Sequence, residues 1–360
     1  MNETTKLKIT TLTPVTIGSG AELSLFADYI FYDRQVCFLD KKKIAEKIMQ
    51  KGDSYFDLYV FGVAKGIKDN KSDFELDSFL LNNKIVQNLD EVISYRCPFI
   101  GSIENKLPIK GMIKSPLAQP YFPGSSIKGA LKTVLMYNWL KSDKTANSMI
   151  EDVINDGNFN QLEKLFEFKE TEKVIQNKVI QQVTDSRLLP KDANIVVDCD
   201  RKIPLRFECI AKNQTSEFEL TLNNYKWEAL AKQANNYAQD ALEREISLIE
   251  NDDAKIDYYN FLADIDDKIY KAKDDVAFLR IGFGKGYYLN SLGIAIYDYV
   301  TRKGREELYQ TFENFIKKQF AKQDIKLADF PKTRLFVTHT QEPLGWIKIQ
   351  ALSINRSTTI

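Results

Sequence analysis

Short runs of alternating apolar and polar residues, interrupted by long stretches of helical spacing, make this an α+β chain. Residues 6–13, KLKITTLT, alternate as a half-buried strand does, until Pro14 and then Gly18, Ser19 and Gly20 break the run into a loop. Asp28–Phe31 and Val36–Leu39 flank the polar pair Asp33 and Arg34 and predict a β-hairpin. Ile44 and Ile48 then set a helix over 41–50. Residues 52–95 are helix-compatible. The eight Pro and Gly residues from Pro98 to Gly124 predict a long surface loop over 97–125. A helix follows to about Lys141, capped by Ser125 or Ser126, with Ile127, Leu131, Val134, Leu135 and Trp139 at helical intervals. Polar helices continue over 142–180. Strand character returns at 181–189 and at 195–210, where Pro204 marks an edge.

Residues 223–278 read as one helical block without strand signals. Across 214–278 there are 15 Asp and Glu against 7 Lys and Arg, a net of −8 in a chain whose 50 basic and 50 acidic residues cancel. The remainder therefore carries +8. Beyond the block, 279–291 is β-like and a helix is expected around 305–320. RLFVTHT and GWIKIQA then flank a turn at Glu342–Gly345, with His339 as a strand residue. No repeat of 20–50 residues is evident. Two α+β modules are expected: residues 1–210 with helical insertions at about 41–95 and 140–180, and 211–360 carrying the acidic block 223–278.

The balanced charge excludes a histone-like basic coat and an acidic disordered tail, so any nucleic-acid surface must be local. The first twenty residues lack the apolar core of a signal peptide, and no run approaches membrane-spanning length. Cys37, Cys97, Cys199 and Cys209 form no C-x-x-C pair. A reduced, cytoplasmic chain with no membrane association is the expectation. With one histidine, chemistry that needs paired imidazoles lacks its residues.

The strongest local signal is YFPGSSIKGALK, residues 121–132. Gly124 frees the backbone, Ser125 and Ser126 offer hydroxyls, and a helix start presents amides to an anion. Lys128 and Lys132 lie one turn apart and can face one phosphate backbone. Gly124 and Gly129 have the spacing of a nucleotide-binding loop, but Ala130 and Leu131 stand where Lys and Ser or Thr are required, which excludes an NTPase of that type. Equally, the segment reads as a capped amphipathic helix after a proline turn. Gly282, Gly284 and Gly286 alternate around Phe283 and Lys285, and let a backbone approach a ligand closely. Lys106, Lys110, Lys114, Lys332 and Arg334 add local positive charge. Carboxylates at Glu22, Asp28, Asp33, Asp185, Asp198 and Asp200 form no visible two-metal cluster. No catalytic residue, metal or cofactor is assigned.

Leu12-Thr13-Pro14-Val15-x-Ile17-Gly18-Ser19-Gly20, Pro123–Leu131, Val183-Thr184-Asp185-Ser186 and the loop 282–286, in that order, resemble the RAMP superfamily of CRISPR-associated RNA-binding proteins. Pro331-Lys332-Thr333-Arg334 and Pro343-Leu344-Gly345-Trp346 resemble its branch of fifth Csm-type subunits, which cap type III-A effectors at the 3′ end of the guide RNA. The resemblance implies two ferredoxin-like, RRM-related modules and binding to CRISPR RNA. It further implies contact with the backbone RAMP subunit and support of 3′-end trimming by host nucleases. It carries RNA contact to Gly124–Gly129, with Lys128 on phosphate, and to Gly282–Gly286. A metal-dependent ribonuclease using Asp28, and a pure assembly protein, remain open readings.

Overall fold

The computed structural model describes residues 2–69, 73–104, 106–142, 144–157, 179–200, 204–249, 252–285, 293–319, 326–330 and 335–352. The chain opens with β1 (Asn2–Thr11), β2 (Gly18–Leu23), and the hairpin of β3 (Tyr29–Tyr32) and β4 (Gln35–Leu39). Helices α1 (Lys41–Lys51), α2 (Asp53–Lys68) and α3 (Leu76–Asn82) follow, then β5 (Ile93–Ile100), β6 (Ile109–Met112), α4 (Gly124–Ser142) and α5 (Lys144–Asp156). Next come β7 (Ile180–Val183), β8 (Asn194–Asp200), β9 (Leu205–Ile210) and β10 (Thr215–Asn223). The rest is α6 (Trp227–Ser247), α7 (Ile256–Tyr270), β11 (Val276–Arg280), α8 (Gly293–Val300), α9 (Glu306–Gln319), β12 (Phe336–Val337) and β13 (Trp346–Ala351).

The strands form two sheets. The first has the order β11-β13-β1-β10-β7 and is antiparallel throughout. Its apolar side, from Leu7, Ile9, Phe218, Leu220 and Ile349, packs against α4 and α6 in the largest core. Helix α6 lies close to β11 because its inner stripe is Ala231, Ala234, Ala238 and Ala241. Asn235 fastens it there, donating to the Val276 carbonyl and accepting from the Phe278 amide. The second sheet runs β2-β6-β9-β8-β5-β4-β3, with β12 added beside β8. It curls: Tyr29, on the last strand, donates its hydroxyl to the Leu107 carbonyl just before β6, 2.5 Å away. Ile30, Cys37 and Leu39 point outward to α1 and α3, while Tyr29, Phe38, Cys97 and Val196 fill the concave side.

That concave side also holds two buried ion pairs. The Arg206 guanidinium grips Asp198 through two hydrogen bonds and lies over the Phe31 and Phe99 rings. Lys114 meets both oxygens of fully buried Glu208 at 2.5 and 2.6 Å. Tyr95 and Met112 complete the hydrogen bonds to that carboxylate, as a buried charge requires.

Several expectations change. The loop read over 97–125 contains the second half of β5 and all of β6; Pro98 is tolerated because it pairs with Gln35 at the end of its ladder, where a missing N–H costs least. Gly18–Gly20 belong to edge strand β2, not to a loop. The block 223–278 ends in β11, whose five residues are all buried and so show no alternation. RLFVTHT and GWIKIQA do not form a hairpin. Their strands lie in different sheets, β12 on β8 and β13 on β1, and His339 sits in the intervening turn at φ 74°. Both sheets take strands from each side of residue 210, the expected module boundary. The four cysteines are buried and free. No helix among the described residues is long and apolar enough to cross a membrane.

Candidate nucleic-acid interface

The glycine loop after β11 meets residues 14–17 and 344–345, and residues 122–124 meet 183–186 just after β7, at the opposite edge of the first sheet. Helix α4 begins there because its first turn is fixed from both sides. The Pro123 carbonyl accepts the Ser126 and Ile127 amides, and the Gly124 amide donates to Asp185 Oδ1 at 2.8 Å. Phe122 and Ser186 bind each other twice, once through the Ser186 hydroxyl. Gly124 is required by crowding, since a Cβ would overlap the Val183 and Thr184 carbonyls. Asp185, read from the sequence as a carboxylate beside a strand with no metal cluster, is thus the anion at this helix start, favoured by the dipole. One of the amides expected to face an external anion is occupied from within.

The outer face of the same turn is different. Ser125, Lys128 and Gly129 are exposed, and Ser126 and Lys132 are half-buried. The Lys128 ammonium reaches the Gln181 carbonyl of β7 at 3.3 Å. A Cβ built on Gly129 meets no atom within 4 Å. A helix-interior glycine costs about 1 kcal/mol relative to alanine. Among the described residues nothing crowds the position that would require a glycine there.

The loop after β11 is locked into the first motif. Gly282 has φ 71°, a Cβ there would overlap the Thr16 carbonyl oxygen, and the Phe283 amide donates to that oxygen at 2.9 Å. Gly345, φ 91°, sits against the Ile281 carbonyl in the same way, and its amide donates to the Pro14 carbonyl. Gly284 takes φ 91° against Leu344. Lys285 is half-buried, and burial, then the charge of Arg280, pushes its ammonium below its ordinary value. Arg280 in turn is buried and paired with Glu245 at 3.1 Å. Gly286, Lys332 and Arg334 lie outside the described residues.

The remaining cations separate. Lys110 is exposed and pairs with Glu22 at 2.9 Å, whereas Lys114 is the half-buried partner of fully buried Glu208. Lys128 stands over edge strand β7 of the first sheet, while Lys285 follows β11 at the opposite edge, so the two are separated by the width of the sheet. Asp28 accepts from Lys41 and from the Ser24 amide, and Asp198 is held by Arg206. Among the described residues no three His, Cys, Asp or Glu are grouped to hold a metal ion. Sequence reading missed Glu208 and Arg206 as structural partners. The signal was present: in LRFECI the charged Arg206 and Glu208 alternate with apolar Leu205, Phe207 and Cys209, placing both charges on one face of the strand.

Comparison with known proteins bears on the whole chain. Csm5 of Methanocaldococcus jannaschii is 25% identical over 397 residues, covering 96% of this chain and 88% of that protein. Csm5 of Streptococcus thermophilus is 29% identical over 142 residues, 37% of this chain and 38% of that protein. A chain in the cryo-EM structure of a Csm–crRNA–target RNA ternary complex of a type III-A CRISPR–Cas system superposes with TM-score 0.66 at 18% identity, covering 96% of this chain and all of the other. The crystal structure of T. onnurineus Csm5 gives 0.59 at 16% identity over 94% of this chain and 99% of that one. The family model of the RAMP superfamily matches residues 8–289, from β1 through the glycine loop, and the chain belongs to that superfamily.

Proposed function

We propose that this chain is the guide-RNA-binding subunit at the 3′ end of a type III-A Csm effector. In that place it supports guide maturation in antiviral defence and contacts the neighbouring backbone subunit and host trimming nucleases, in the cytoplasm. The observation that carries the reading is the length of the likeness to Csm5 of M. jannaschii, 96% of this chain against 88% of that protein. The outer face of α4 suits the role: exposed Lys128 and Ser125, half-buried Ser126 and Lys132, and an open backbone at Gly129 where a phosphate can come close. Gly282 and Gly284 would shape the second contact around Lys285, with Gly286, Lys332 and Arg334 kept in the proposed set. Lys110 would exchange its exposed pair with Glu22 for phosphate. The reading gives Lys114 and Gly124 structural roles, because Glu208 and Asp185 already engage them.

The reading is of a binding subunit. Glu22 and Asp28, the carboxylates considered for metal-assisted cleavage, hold Lys110 and Lys41 of this chain. Strand order supports a ferredoxin-like origin for the first sheet. Antiparallel β13-β1-β10-β7, with α4 leading to β7 and α6 following β10, is a β-α-β-β-α-β unit carrying β11 as an added edge. The second sheet would then be the other RRM-related module, inserted largely between β1 and α4.

The test is recovery of the tagged chain from its source cells with bound RNA sequenced and 3′ ends mapped. Repeat–spacer RNA with defined 3′ ends, together with other Csm subunits, is the expected result. Recovery of the chain without guide RNA overturns the reading.

A further inference from the structure

Helices α6 and α7 leave a groove on the outer side of the first sheet's helical layer, far from neutral in charge. It is lined by Glu243, Ile246 and Ser247 of α6 and by Tyr259, Ala263, Asp266, Asp267 and Tyr270 of α7. Its walls combine two kinds of surface. Ile246, Ala263 and Tyr259 are half-buried, and Tyr270 is 82% exposed, the most exposed large apolar side chain among the described residues. Around them stand three carboxylates and no basic residue. Asp267 has Lys271 at 2.6 Å, but no ion pair among the described residues engages Glu243 or Asp266. Burial, then the charge of Asp267, raises the Asp266 carboxyl above its ordinary value, as expected of like charges gathered in a partly dry site. The last turn of α6, at Glu243–Ser247, adds the negative end of its dipole.

Carboxylates beside tyrosine faces make a receptor for an ammonium or guanidinium on an aliphatic stem: the rings take the stem and the cation, and the carboxylates take the charge. The same field repels a phosphate backbone. We propose that this groove docks a Lys- or Arg-bearing segment of a protein partner, through side chains that insert between Tyr259 and Tyr270. The charge complementarity is local and strong, since the groove lies within the stretch 214–278 of net charge −8. No residue of α4 lines this groove.

The test places the photo-reactive residue p-benzoylphenylalanine at position 270 of the full chain, expressed in its source cells, with crosslinked peptides identified after irradiation. The expected product is a peptide of one protein partner with a Lys or Arg within a few residues of the crosslink. In the charge-only double variant Glu243→Gln/Asp266→Asn its yield falls roughly tenfold. Thermal unfolding of that variant within a degree or so of the parent shows that the fold is intact. A crosslink to RNA, a partner peptide without basic residues, no crosslink, or an unchanged yield in the double variant overturns the proposal. Guide RNA in the same preparation is scored separately, so loss of guide RNA speaks against the RNA-binding role while leaving the groove's result readable.

Discussion

Gly124 and Gly129 lie in one helix, five residues apart, and the fold uses them in opposite ways. Gly124 faces inward, where backbone carbonyls of residues 183 and 184 leave no room for a Cβ, and its amide is claimed by Asp185. Gly129 faces outward into open space. Lysines show the same contrast: half-buried Lys114 is paired with fully buried Glu208 of the second sheet, whereas Lys128 is exposed on α4. Motif membership therefore does not separate crowded, partnered positions from open ones. What separates them is whether the fold packs against the residue.

The contrast is broken most forcefully at Lys114. Lys114→Met leaves the Glu208 carboxylate buried without its cation, and stability should drop by about 3–5 kcal/mol in denaturant unfolding, against no measurable loss for Lys128→Met. A similar result for both lysines would remove the distinction. Next in size, Gly124→Ala should cost about 1–3 kcal/mol, because α4 must shift away from the segment after β7. Gly129→Ala should go the other way, stabilising by about 0.5–1 kcal/mol while weakening guide-RNA binding. If both properties stay at the parent level, the open face of α4 is not where RNA approaches.

A titration sharpens the inner side. At the far end of α4, Tyr137 and Lys141 both bind Asp240, and Lys141 also lies 3.8 Å from Asp298. Burial, against the partial relief of Lys141, pushes the Asp298 carboxyl up to about 6. The folded chain then holds this proton more tightly than the unfolded chain does. Its contribution therefore favours folding below the ordinary carboxylate range, and is lost as pH rises from about 4 to about 6. Asp298→Asn should flatten stability across that window, as read by thermal unfolding at stepped pH. A parent curve that rises there, with the variant following it, would contradict the assignment. The smallest expected effect is at the surface: Lys128→Ala should lower the salt slope of RNA binding by about 1.

Much of the local structure was legible in the sequence. The alternation of residues 6–13 marks the second half of β1, which ends at Thr11, the paired runs around Asp33 and Arg34 are β3 and β4, and the spacing from Ile127 to Trp139 is α4. These succeed because period and turn residues act within a few positions of each other. Elements whose environment is symmetric were hidden. Strand β11 is buried on every residue and shows no period, and the Pro- and Gly-rich stretch conceals β5 and β6 because ladder partners, not propensity, hold them.

By itself, then, the sequence determined an α+β chain, the start of α4, the acidic block and the motifs that mark the RAMP superfamily. Only tertiary structure decided that Asp185 caps the Gly124 turn, that Thr16 and Ile281 exclude side chains at Gly282 and Gly345, and that Lys114 is spent on Glu208. The reason is physical. Periodicity records which side of an element is apolar, but the partners of Glu208, Gly124 and Gly282 lie many tens of residues away and are named only when the sheets close.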